Sequence, residues 1–195
     1  MKRTATREHN TDEMYGFVVR AARQCVKGKY ALAARIRRIA IRRIRAALRI
    51  QPSAVLWIML GDAYVSTPHS KRCYQKALKL DPHNADAAYD LACIEFEENE
   101  RKGDLKNAER LVDLFMRKPP ENLEYQAFAL AAEVYAALGR KTDAASARRR
   151  AARRWARISK VTVLEFDPDW NKADPLELAD RRKARRKRRS SKRWQ

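Results

Sequence analysis

The chain has 195 residues, of which 45% are hydrophobic and 35% charged, with a net charge of +20. That is enough chain to bury a core, and five glycines are too few for a many-turned β architecture. The charge is uneven, +11 over residues 1–50, −4 over 51–139 and +13 over 140–195, so an acidic middle lies between basic ends that favour polyanions: RNA, DNA, anionic lipid or an acidic protein.

Residues 1–11 read as a basic extension. A first helix is predicted over 12–27, with Asp12 as N-cap and Tyr15, Val18, Val19, Ala22 and Val26 as its apolar face. The turn GKY at 28–30 leads into a second helix running to residue 50. Within it the stretch RIRRIAIRRIRAALRI, residues 35–50, carries seven arginines and five isoleucines. At about 100° per residue, Leu32, Ile36, Ile39, Ala40, Ile44 and Ala47 share one side. Arg35, Arg38, Arg42, Arg45 and Arg49 share the opposite side at steps of three and four. Arg43 falls near the apolar stripe and Ile41 falls off it.

Residues 57–64 read WIMLGDAY, which sets Trp57, Leu60, Gly61 and Tyr64 at the spacing W-x2-L-G-x2-Y; Tyr74, Ala77 and Pro82 follow. A small Gly61 lets a second helix lie close to the first, and Pro82 stops that second helix. The pattern recurs more weakly. Leu91 and Ala92 stand at the Leu–Gly positions, a longer turn ENERKGD follows, and Ala108, Val112, Phe115 and Pro120 take the second-helix places. In a third copy Phe128, Ala132 and Tyr135 share a face, Gly139 makes the turn, and Ala144, Ala147, Ala151, Trp155 and Ile158 point inward. Arg149, Arg150, Arg153, Arg154 and Arg157 point outward, a second arginine stripe. Over residues 54–152 the sequence resembles the tetratricopeptide repeat family.

The resemblance implies an all-α fold, a right-handed superhelix of about four antiparallel helix–turn–helix pairs. These pairs are expected at about 12–50, 54–80, 85–117 and 123–158, in one repeat domain over 12–158. Residues 159–195 form an irregular segment and an Arg/Lys-rich tail, in which Leu164, Phe166 and Trp170 are candidates to pack back as a lid. The tail arginines Arg181, Arg182, Arg185, Arg186, Arg188 and Arg189 join the polyanion-binding set and also resemble a nuclear-localisation patch.

Proteins of this family generally bind a peptide or helix in a groove lined by their first helices. Carried over, the groove here comprises Ile58, Met59 and Asp62, then Asp86, Tyr89, Asp90, Cys93 and Glu97, then Leu130 and Glu133. A chaperone-tail-binding subfamily uses lysine, arginine and asparagine there to clamp a carboxylate. This sequence has Asp62, Asp90, Cys93 and Leu130 at or near those places, which speaks against that function. An acidic groove favours a basic or amphipathic ligand, and the chain's own basic tail is one such ligand.

Other chemistry is absent. The three cysteines, Cys25, Cys73 and Cys93, are odd in number and far apart, and the three histidines are isolated, so no disulfide framework, metal or other cofactor is expected. The longest apolar run, AVLWIML at 54–60, is far short of a membrane span, and MKRTATREHN lacks the apolar stretch of a secretory signal. No phosphate loop, nucleophile elbow or metal motif occurs, and the acids Glu95, Glu97, Glu98 and Glu100 read as a solvated face. Aromatic residues are sparse beside the arginine runs. The expectation is a non-catalytic, cytoplasmic interaction scaffold with a protein partner in its groove and a polyanion on its arginine faces. The alternative is an RNA-associated structural component of a ribonucleoprotein, for example one associated with the ribosome.

Overall fold

The computed structural model describes residues 5–65, 67–120 and 123–161, with side chains described between 11 and 157. The tail residues singled out above, from Leu164 through Arg189, and the side chain of Ile158 lie outside the described residues. Among the described residues the fold is all-helical, with eight α-helices and no strand. They are α1 (Ala5–Val26), α2 (Tyr30–Ile50), α3 (Ala54–Tyr64), α4 (Pro68–Leu80), α5 (Ala85–Asn99), α6 (Lys106–Arg117), α7 (Glu124–Ala137) and α8 (Lys141–Val161). The chain forms two compact units, and the boundary between Ala40 and Ile41 falls inside α2.

In the first unit, α1 begins at Ala5, so residues 5–11 belong to a helix rather than to an extension, and Asp12 is interior rather than an N-cap. Its buried stripe is Met14, Phe17 and Ala21 at steps of three and four, with Gln24 continuing it. The expected apolar face is therefore corrected: Tyr15, Val19, Ala22 and Val26 are exposed and Val18 is half-buried. Anchoring the helix at Asp12 put weight on the more numerous β-branched residues, whereas the larger Met14 and Phe17 cover more apolar surface and set the buried side. Among the described residues the carbonyl oxygen of the buried Gln24 side chain has no hydrogen-bond partner. Arg37 of α2 donates from Nη2 to the Cys25 sulfur at 2.7 Å, linking the two helices.

The second unit starts with the end of α2, where Ile44 and Leu48 are buried. Each later helix packs on the next in sequence, most extensively α3 on α4, α5 on α6 and α7 on α8. Local signals set the helix starts. Ser53 accepts from the Leu56 N–H, Thr67 and Ser70 form a reciprocal capping box ahead of Pro68, and Asn84 accepts from the Ala87 N–H. At Gly139 a positive φ of 74° reverses the chain while the Arg140 N–H closes onto the Tyr135 carbonyl at 2.8 Å.

Gly61 sets the close approach of α3 and α4. A Cβ there would lie 2.5 Å from Cε1 of Tyr74, a ring that is itself buried. The connection between these helices is short, and Val65 takes φ 46°, a left-handed conformation that a β-branched side chain resists. Phe115, Leu111 and Val112 of α6 lie at the centre of the core with Ala127, Ala131 and Val134 of α7.

Polar ties register the helices. Lys71 of α4 meets Glu95 at 3.0 Å and Glu98 at 2.6 Å on α5. Glu95 is thus buried and paired, a correction to the solvated-face reading of the glutamate run; only Glu97, Glu98 and Glu100 are exposed. Burial alone would lower the Lys71 pKa, but its hydrogen bonds to Glu98 and Glu95 outweigh this and raise it. Arg140 bridges Glu109 and Asp143, each at 2.8 Å, and covers the Tyr135 ring, whose hydroxyl donates to Asp113 at 2.7 Å.

Candidate functional site

On α5, Asp86, Tyr89, Asp90, Cys93 and Glu97 fall at steps of three, one, three and four. That is one side of a helix whose other side, Ala88, Leu91, Ala92 and Phe96, is in the core. Tyr89 is held by an edge-to-face contact with Phe115, ring centroids 5.9 Å apart. Across from this side, Asp62 of α3 accepts a hydrogen bond at 2.8 Å from the hydroxyl of Tyr74 of α4.

The three aspartates feel one another. Burial pushes the Asp90 carboxyl up to about 7, with the charges of Asp62 and Asp86 adding to the rise. Asp62 is raised by burial as well, opposed by the Tyr74 hydrogen bond and reinforced by Asp86. The Tyr74 hydroxyl is pushed far above its ordinary range, first by burial and then by Asp90 and Asp62. Burial raises the Cys93 thiol to about 11, so it stays protonated at neutral pH and is a poor nucleophile. Tyr89 hydrogen-bonds Cys93; burial raises its hydroxyl pKa, with further contributions from the charges of Asp90 and of Glu133 on α7.

Of the residues expected to line a groove, these interactions bring together Asp62, Asp86, Tyr89, Asp90, Cys93 and Glu133. Glu97 is exposed further along α5, and Ile58 is half-buried against the core. Met59 and Leu130 are corrected: both are buried, because each stands on the side of its helix that packs inward, and neither presents a surface to a ligand. Tyr74 was missed. The repeat spacing gives it a second-helix place and no groove role, whereas its hydroxyl reaches Asp62.

The arginines divide. On α2, Arg38 in the first unit and Arg42, Arg45 and Arg49 in the second are exposed, while Arg35 is half-buried. Arg43, expected near the apolar stripe, is exposed. Arg45 donates to the Tyr64 hydroxyl and lies over its ring, 5.7 Å from the centroid. On α8, Arg149, Arg153 and Arg157 are exposed, and Arg150 lies 4.2 Å from the Phe128 ring centroid. Arg154 is corrected: it ion-pairs with Glu124 of α7 at 2.7 Å, which removes it from the outward stripe. Trp155 is also corrected. It is 54% exposed and lies against the Tyr125 ring rather than inward.

A cavity of about 520 Å³ opens where the end of α2 meets α3 and α4. Arg45, Arg49, Arg72 and Lys76 line it beside the rings of Trp57, Tyr64 and His69. Counting aromatics along the chain missed this, since the rings and the arginines come from different helices.

Among the described residues no cluster of histidine, cysteine and carboxylate groups could hold a metal ion, and no helix is long and apolar enough to cross a membrane. In comparisons with known proteins, no family model matches the chain and no curated protein is significantly similar to it.

Proposed function

We propose that the protein is a non-catalytic interaction scaffold built of tetratricopeptide-like helix pairs in a right-handed superhelix. It binds a basic peptide or helix across the side formed by α3, α5 and α7. The observation that carries this reading is the set Asp62, Asp86 and Asp90 beside the ring of Tyr89, in which burial and the neighbouring carboxylates raise the proton affinity of Asp62 and Asp90. Asp86 stands exposed beside the half-buried Asp62 and Asp90, which are stabilised, when charged, by a neighbouring cation. A lysine or arginine of a partner supplies one, and the Tyr89 ring receives its aliphatic stem or its charge. Tyr89→Ala should weaken partner binding about ten-fold or more, and the loss should persist at raised salt. Binding that is unchanged in this variant and collapses with salt would overturn the reading.

A second reading, an RNA-associated component of a ribonucleoprotein, is favoured by the exposed row Arg149, Arg153 and Arg157 on α8. It predicts binding whose logarithm falls linearly with the logarithm of salt concentration. The two readings use different surfaces and are compatible in one molecule.

A further inference from the structure

The cavity between α2, α3 and α4 combines two chemistries. Four cationic side chains, Arg45, Arg49, Arg72 and Lys76, line it, and among the described residues no carboxylate does. Arg45, Arg49, Arg72 and Lys76 are all exposed; Arg45 is held on Tyr64 and Lys76 lies over Trp57. The aromatic residues form the second element. Lys76 Nζ lies 4.3 Å from the Trp57 ring centroid, and the Tyr64 and His69 rings meet at 5.3 Å with a tilt of 35°. Buried Leu48 and Leu60 add apolar surface. At about 520 Å³ the volume is in the range of small-molecule sites.

We propose that this cavity binds a nucleotide, with the phosphate on Arg49, Arg72 and Lys76 and the base stacked on Trp57. An acidic side chain would use the cations but has no use for the rings, whereas a nucleotide uses both. In this structure Lys76 covers one face of Trp57. An exposed cation–π contact of this kind is weaker than stacking of a base on an aromatic ring, so a base displaces the lysine, which then turns to the phosphate. Arg45, hydrogen-bonded to Tyr64, stays in place and fixes the second ring at the rim. The same chemistry serves a free mononucleotide or one unit of a single-stranded RNA. The inference uses none of the aspartates of the α3–α5–α7 side and stands apart from that reading.

The test uses the full chain with nitrogen-15-labelled tryptophan, titrated with adenosine monophosphate and separately with a six-nucleotide single-stranded RNA. The indole N–H signal of Trp57, identified by its loss in Trp57→Phe, should move saturably. The double variant Arg49→Gln/Arg72→Gln, at two exposed positions, should weaken that titration about ten-fold or more. The control Arg101→Gln/Lys118→Gln, at two exposed positions outside the cavity, should leave it within about two-fold. Movement at similar affinity with both ligands supports a free nucleotide as the source, and movement with RNA alone supports a strand. A Trp57 signal that moves with neither, or an Arg49→Gln/Arg72→Gln variant that titrates like the wild type, overturns the proposal. So does polyglutamate producing the same Trp57 movement at the same affinity, which would reduce the cavity to a general anion patch.

Discussion

Replacing Gly61 by alanine would place a methyl carbon 2.5 Å from Cε1 and 2.7 Å from Cζ of Tyr74. Neither side can yield cheaply. The glycine backbone is inside α3, and the tyrosine ring is buried with its hydroxyl bonded to Asp62 at 2.8 Å. Inserting a methylene-sized group into a packed site costs about 1–3 kcal/mol. Moving Tyr74 also strains or breaks a hydrogen bond to a carboxylate, worth about 1.5–3 kcal/mol. Alanine returns about 1 kcal/mol through its better helix propensity. The expected net loss is about 3 kcal/mol, read as a lower midpoint in urea unfolding of the full chain followed by circular dichroism. The same substitution in a Tyr74→Ala background has no ring to meet, so it should be neutral or stabilise by up to about 1 kcal/mol. A Gly61→Ala protein as stable as the wild type, or an equal loss in both backgrounds, would refute the close approach of α3 and α4 at this ring.

Three further outcomes are expected. Val65→Gly removes a β-branched residue from φ 46° and should raise unfolding stability by about 1 kcal/mol; an unchanged or lower midpoint would count against strain at this turn. Lys71→Met leaves the buried Glu95 without its cation and should cost about 2 kcal/mol, less than a fully buried pair because Lys71 is partly exposed; a double variant with Glu95→Gln should recover much of it. Asp90 holds its proton up to about pH 7 when folded but only to its ordinary 3.8 when unfolded. The folded state therefore binds the extra proton between those values, and stability falls as pH rises from about 4 to 7. Asp90→Asn should abolish that part of the slope, matching the wild type near pH 4 and exceeding it by about 2 kcal/mol at pH 8, a figure reduced for partial exposure. Parallel pH profiles for the two proteins would contradict the raised proton affinity of Asp90, of which burial is the first cause.

The helices from α3 onward are legible from the repeat spacing, and the structure adds local signals at some of their ends, though α6 and α7 have no side-chain cap. Ser53, Thr67 and Asn84 cap, Gly61 and Gly139 stand where a side chain would clash or a positive φ is needed, and Pro82 follows a helix end. The start of α1 was not legible, because Asp12 has the chemistry of a cap without the position of one. The candidate side on α5 follows from the repeat resemblance, and one helix carries five of its residues. What spacing could not give was contact between helices. It left Glu95 among solvated acids although Lys71 reaches it, counted Arg154 as outward although Glu124 holds it, and treated Tyr74 as packing although its hydroxyl reaches Asp62. The cavity lined by Arg49, Trp57 and Arg72 belongs to the same class, being assembled from three helices whose charges and rings are dilute along the chain.

The central claim is that a protein partner occupies the side of α5 that carries Asp86, Tyr89 and Asp90. Site-specific photocrosslinking tests it most directly, with the photoreactive residue placed at position 86 or, as a reference, at position 153 on α8, in native cells and with nuclease added after crosslinking. The account predicts a discrete protein adduct from position 86 that survives nuclease and disappears when Asp62 and Asp90 are both changed to asparagine. Nucleic-acid adducts from position 153, with no adduct from position 86 under any condition, would contradict it.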